Sequence, residues 1–128
     1  MRILFDTHAL IWFLTDNPRL PQKIRAILTD SETELLFSPV SILEIAIKHS
    51  IKPELMPCSP EEVRSDAEVS GIRELPFVSK HAEKISGLPW LHNDPFDRML
   101  VSQAICEGIS LLSHDEQVVR YGDFVIGF

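Results

Sequence analysis

The chain has 128 residues, 45% hydrophobic and 24% charged, which suits one globular domain spanning 1–128 with a single core and no stretch biased enough to stay disordered. A formal net charge of -7 excludes a protein that grips nucleic acid through a broad basic surface; a nucleic-acid substrate would need a metal to help. No apolar run approaches the roughly 18 residues of a membrane span, and Asp6 interrupts what would be a signal peptide's hydrophobic run, so a cytoplasmic, membrane-free protein is expected.

In chain order, Arg2 to Phe5 reads as a short strand ending at Asp6, and Thr7 to Leu14 as a mostly buried helix. Asp16, Asn17 and Pro18 break the pattern. Pro21 fits the first turn of a second helix reaching about Asp30, with Ile24, Ile27 and Leu28 on one face. Leu35 to Phe37 is a second strand, and a helix opened by Ser38-Pro39 or Ser41 runs to about Ser50. After the prolines at 53, 57 and 60, Ser59-Pro60-Glu61-Glu62 starts another helix, Ile72 to Leu75 reads as a third strand and Ser79 to Ser86 as a shorter helix. Following an irregular connection over 87–93, Asp94 caps a helix with Pro95 at its first position, running to Glu107 and stopped by Gly108. Ile109 to Leu112, Asp115 to Tyr121 and Phe124 to Ile126 complete the pattern as strand, helix and strand. This alternation predicts an α/β fold with a parallel sheet and helices on both faces. Cys58 and Cys106 stand apart, offering neither a disulfide framework nor a zinc knuckle.

Several acids do not fit a plain surface. Apolar residues surround Glu44 in the run 41–47 on nearly all sides, and unpaired burial would cost several kcal/mol, so it needs a cation or a cleft. The simpler alternative is an ion pair with Lys48 one turn later. Asp97 shares a helix stripe with Val101, Ala104 and Gly108, near a helix N-terminus that favours its ionised form, although capping by Asp94 and Asp97 is also open. Asp6 and Asp115 each follow a strand and open a helix; either alone reads as an N-cap, but ligands on a parallel sheet bind beyond the carboxyl ends of the strands. Acids gathered there would repel one another without a cation between them. Carboxylates without His or Cys partners favour Mg2+, with Mn2+ able to substitute, over zinc. The five histidines show no metal-binding spacing and read as structural or surface residues, His114 beside Asp115 being the one to test.

Four stretches, ILFDTHALIW, SPVSILEIAIK, LPWLHNDPFDRMLVSQA and LLSHDEQV, resemble in order and spacing the PIN-domain nucleases, in particular the VapC-type toxins of type II toxin–antitoxin systems, over essentially the whole chain. The most specific piece, HNDPFDRMLVSQA, looks like the HxDPFDRxL signature of one VapC-like subgroup. The resemblance implies a five-stranded sheet of order 3-2-1-4-5 and metal-dependent endonucleolytic cleavage of RNA. It also implies a homodimer and inhibition by a VapB-type antitoxin encoded alongside. Carried across by position, it makes Asp6, Glu44, Asp97 and Asp115 the catalytic and metal-binding acids, with Asp6 and Asp97 the principal ligands. Asp94, Arg98, Thr7 and Ser113 are candidates to support them or to meet substrate; Arg98 stays open between a phosphate contact and a buried ion pair. Trp12, Phe13, Trp90 and Leu91 offer apolar surface to an antitoxin, against the simpler reading of core packing.

Among rival enzymes, a phosphatase with an Asp-x-Asp pair would need its second Asp at His8, and no lysine follows Lys84; a receiver-type signalling domain fails similarly. A binding module that keeps the acids for fold or partner recognition, and a housekeeping RNA-processing nuclease, remain as alternatives.

Overall fold

A computed structural model describes residues Met1–Phe128. Five parallel strands, β1 (Arg2–Phe5), β2 (Glu34–Phe37), β3 (Arg73–Glu74), β4 (Ser110–Ser113) and β5 (Val125–Gly127), lie in the order β3-β2-β1-β4-β5. Seven helices connect them: α1 (Thr7–Leu14), α2 (Gln22–Leu28), α3 (Pro39–Ile51), α4 (Pro60–Val69), α5 (Ser79–Lys84), α6 (Pro95–Glu107) and α7 (Glu116–Val119), with a 3-10 turn over Ile85–Gly87. The expected strand order and the helices on both faces are present.

Why the middles of β1, β2 and β4 are apolar follows from where their side chains go. Alternate residues of a strand face opposite sides of the sheet, so a strand covered on both faces needs apolar residues at every position. Ile3 and Phe5 of β1, Phe37 of β2 and Leu112 of β4 enter one core layer, with Leu10 of α1, Ile24 of α2, Ile45 of α3 and Val63 of α4. Leu4, Leu36 and Leu111 enter the other, with Leu100, Val101 and Ala104 of α6 and Val118 of α7.

Strand order reverses between β1 and β4. β1 leads through α1 and α2 to β2 on one side, while β4 sits on the other, so the helices that leave the carboxyl ends of β1 and β4 diverge and open a crevice. Phe5 pairs with Leu112, and the Asp6 N–H donates to the Leu112 carbonyl at 2.9 Å, which fixes Asp6 and Ser113 beside each other at that opening.

The element boundaries agree with the sequence reading within two residues, with three small shifts. Pro21 caps α2 from outside instead of sitting in its first turn. The third strand keeps only Arg73–Glu74, between the left-handed Gly71 and Pro76, whose missing N–H cannot extend the ladder. The last helix ends at Val119, before Tyr121. The helix capped by Asp94 and terminated by the left-handed Gly108 is as the sequence indicates.

Candidate active site

Three of the acids are delivered to the crevice by the same local device. Asp6, Asp94 and Asp115 are N-caps of α1, α6 and α7, and each uses its Oδ1: Asp6 accepts from the Ala9 N–H at 2.7 Å, Asp94 from Phe96 at 2.9 Å and Asp115 from Gln117 at 2.7 Å. From the sequence alone, capping and site formation are rival readings. They coexist, because a carboxylate has two oxygens and the cap engages only one.

α3 brings in Glu44. Its buried face is Val40, Ser41, Glu44 and Ile45, while Leu43 and Ile47, expected to help bury Glu44, point outward at 49% and 39% exposure. Glu44 is buried because its face of α3 meets α1: the Thr7 hydroxyl donates to Glu44 Oε1 at 2.7 Å and lies 3.0 Å from Ser41 Oγ. Lys48 pairs with Glu44 Oε2, so the simpler alternative of an ion pair one turn along is present as well.

These elements enclose a cavity of about 190 Å³ lined by Asp6, Thr7, His8, Glu44, Lys48, Asp94, Asp97, His114 and Asp115, with no hydrophobic residue. All four acids expected at the site line it, as do Asp94 and Thr7. Ser113 is fully buried just behind; its hydroxyl accepts from the Asp115 N–H at 3.1 Å and favours the ionised form of Asp6.

Two assignments need correction. His92, read as structural or surface, sits among the acids: Nε2 is 2.8 Å from Asp97 Oδ2 and 3.3 Å from Asp115 Oδ2, and Nδ1 accepts from the Asp94 N–H at 3.3 Å. The first position of the HNDPFDRML stretch was the available signal for it. Arg98 neither lines the cavity nor forms an ion pair. Its guanidinium donates to the Pro89 carbonyl at 2.9 Å, the Tyr121 hydroxyl at 3.0 Å and the Ile85 carbonyl at 3.2 Å, and lies 4.0 Å from the centre of the Trp90 ring. It clamps the connection into α6, and its planar fork of donors suits several carbonyls at once. Trp90 is 77% exposed rather than core, whereas Trp12 is buried. His114 does reach the cavity, with Nδ1 2.9 Å from the Phe128 carbonyl oxygen, and His8 joins it.

The electrostatics are those of crowded acids. Burial pushes Asp97 up to about 7, with repulsion from Asp94 and then Asp6 adding to it against the opposing hydrogen bond from His92. Burial also raises Asp6, opposed by the Ala9 N–H, Ser113, and the His8 and His114 environment. Five carboxylates share a cavity with one fixed cation, Lys48.

That donor set fits a hard divalent cation. One ligand atom each from His92, Asp94 and Asp97 lies within 4.8 Å of the others. The imidazole is not a free nitrogen ligand while Nδ1 accepts from Asp94 and the proton on Nε2 faces Asp97, so oxygen donors dominate, as Mg2+ or Mn2+ prefers. A cavity of about 190 Å³ has room for an ion that keeps several waters, at about 30 Å³ each.

Solved structures with the same fold include VapBC2 from Rickettsia felis bound to a promoter DNA fragment, with TM-score 0.70 and 16% identity over 100% of this chain and 98% of that one. DNA-bound VapBC from Salmonella typhimurium is similar, with TM-score 0.65 and 16% identity over 100% and 97% of the two chains. VapBC-1 from nontypeable Haemophilus influenzae gives 0.66 and 12% over 100% and 97%. No curated protein matches by sequence. Residues 3–123, which carry every acid of the cavity, match the PIN domain, and the chain belongs to the PIN domain family.

Proposed function

We propose that this chain is a metal-dependent endoribonuclease, using Mg2+ with Mn2+ able to replace it, and that residues 1–128 act as one PIN domain. The observation that carries this reading is the polar cavity in which five carboxylates face one fixed cation. Acids pushed together at this density are stabilised by a divalent ion, and a hydrated ion held by carboxylates is suited to engage phosphate.

Asp6 and Asp97 are the principal ligands, and Asp115 and Glu44 complete the carboxylate wall. When bound, the ion supplies Lewis-acid activation of water and offsets charge at the scissile phosphodiester. The chain's residues do the positioning. His92 holds the Asp97 and Asp115 carboxylates toward each other, Ser113 fixes the turn before Asp115, and Thr7 holds Glu44 in place. Asp94 caps α6 with one oxygen and adds negative charge beside Asp97.

The neighbouring structures are named as VapBC, and one of the same fold from Klebsiella pneumoniae as a toxin–antitoxin complex; on that likeness we assign this chain the toxin role, in the cytoplasm, as a homodimer with a VapB-type antitoxin as partner. No helix is long and apolar enough to cross a membrane. The deciding experiment incubates purified protein with single-stranded RNA: cleavage is expected with Mg2+ or Mn2+, to vanish with EDTA and to return on adding the ion back. Cleavage that survives chelation overturns the metal assignment, and no cleavage with either ion overturns the ribonuclease. Growth arrest on expression, relieved by the neighbouring reading frame, separates a toxin from a housekeeping nuclease.

A further inference from the structure

We propose that Lys48 is the phosphate-binding cation of this site and that Glu44 serves to hold it there. This rests on the ribonuclease reading above and adds to it the group that receives the RNA backbone. Both oxygens of Glu44 are engaged by the chain itself, Oε1 by the Thr7 hydroxyl at 2.7 Å and Oε2 by the Lys48 ammonium. The two partners differ in exposure: the Glu44 side chain is 4% exposed and that of Lys48 42%. The carboxylate is hidden and each of its oxygens has a partner, while the ammonium lies open on the cavity wall with donors to spare beyond the one given to Glu44.

The charges explain why such a group is needed. A phosphodiester approaching this cavity meets five carboxylates, and a single divalent ion does not balance them. Lys48 is the one cavity-lining residue with a permanent positive charge. Arg98, the nearest arginine in the signature stretch, spends its donors on the Pro89 and Ile85 carbonyls and on Tyr121. The pair offsets the cost of burying Glu44, but it occupies only part of Lys48, whose side chain is 42% exposed and keeps donors free for a second partner on the wall of the site. Lys48 therefore acts as a point charge on a flexible stem, able to meet a non-bridging phosphate oxygen while Glu44 limits where it swings.

The test measures binding of a short fluorescein-labelled single-stranded RNA by anisotropy, with Ca2+ in place of Mg2+, over a series of KCl concentrations. It compares the wild-type chain with Lys48→Met and Lys48→Arg. Loss of one phosphate contact makes the slope of log affinity against log salt shallower by about 0.7, equivalent to about fivefold weaker binding near 0.1 M salt. Lys48→Met is expected to show this loss, Lys48→Arg to recover most of it, and Mg2+ affinity by calorimetry to be no weaker in either variant. Wild-type affinity and slope in Lys48→Met overturn the proposal and leave the ribonuclease reading standing. So does a loss of RNA binding that Arg does not recover and that comes with a lowered melting temperature, since that marks a structural pair. A wild-type chain that neither binds nor cuts RNA overturns both.

Discussion

The two ends of the sheet make opposite use of the same strands. At the amino end, a depression of about 530 Å³ is bordered by Arg2, Ala104, Ile105, Gly108, Ile109, Ser110 and Phe124 and carries no carboxylate. At the carboxyl end the smaller cavity of about 190 Å³ has no hydrophobic lining residue and is lined by five carboxylates. The difference is one of polarity, not volume. Helices begin at the carboxyl end, and their first N–H groups need acceptors, so Asp6, Asp94 and Asp115 are drawn there as caps and present a second oxygen to the crevice. At the amino end α6 terminates on Gly108, which closes its carbonyls with backbone alone and leaves side chains free to be apolar. The larger hollow has no chemistry because nothing in helix termination calls for acids there.

The sharpest way to break this contrast is to exchange one residue at each end. Asp97→Asn should lower kcat/KM for Mg2+-dependent RNA cleavage by about a thousandfold, roughly 4 kcal/mol, while Ile105→Ala at the amino end should leave it within about threefold. Equal effects on a steady-state cleavage assay would mean the carboxyl end is not the active site.

A second prediction concerns pH. Asp97 is held up at about 7 in the folded chain, above its ordinary 3.8, so between those values the folded state binds more protons than the unfolded one. Stability of the metal-free protein is then highest at the acid side of that window, falls as pH rises from about 4 to about 7, and stays low above it. The full shift corresponds to a ceiling of about 4 kcal/mol, reduced to about 2 by water in the open cavity. Thermal melts of metal-free protein at a series of pH values should show this decline, Asp97→Asn should make it shallower and leave the part that buried Asp6 contributes, and Mg2+ should stabilise more at pH 8 than at pH 5. A metal-free melting temperature that rises across the window contradicts the crowding of Asp97.

The smallest effect belongs to the amino end. Gly108 has φ +64, and a Cβ there would meet nothing within 4 Å, so Gly108→Ala costs only left-handed backbone strain, about 1 kcal/mol by denaturant unfolding, with cleavage unchanged. A much larger loss would mean that the α6 terminus also has a packing role.

Much of the fold was legible along the chain because each of its signals is local. Asp94-Pro95 and Gly108 bound α6 through capping chemistry and backbone geometry that involve no distant partner, and apolar runs such as Ile3-Leu4-Phe5 demand cover on both faces. The third strand was overdrawn because Ile72 and Leu75 are apolar for burial, while its pairing is cut to Arg73–Glu74 by the flanking turn and Pro76.

The acids divide the same way. That Glu44 is buried followed from its apolar neighbours, yet for a partly mistaken reason, since Leu43 and Ile47 face outward and the burial comes from the contact with Thr7 across 37 positions. The sequence by itself determined which residues end strands, cap helices and carry charge, because hydrogen-bonding need and side-chain period act over a few residues. Only the tertiary structure decided that His92 bridges Asp97 and Asp115 while Arg98 turns away to carbonyls, because those outcomes depend on how α6 is set against the strand ends, and a single residue step along the helix, from Asp97 to Arg98, separates a cavity wall from a buried clamp.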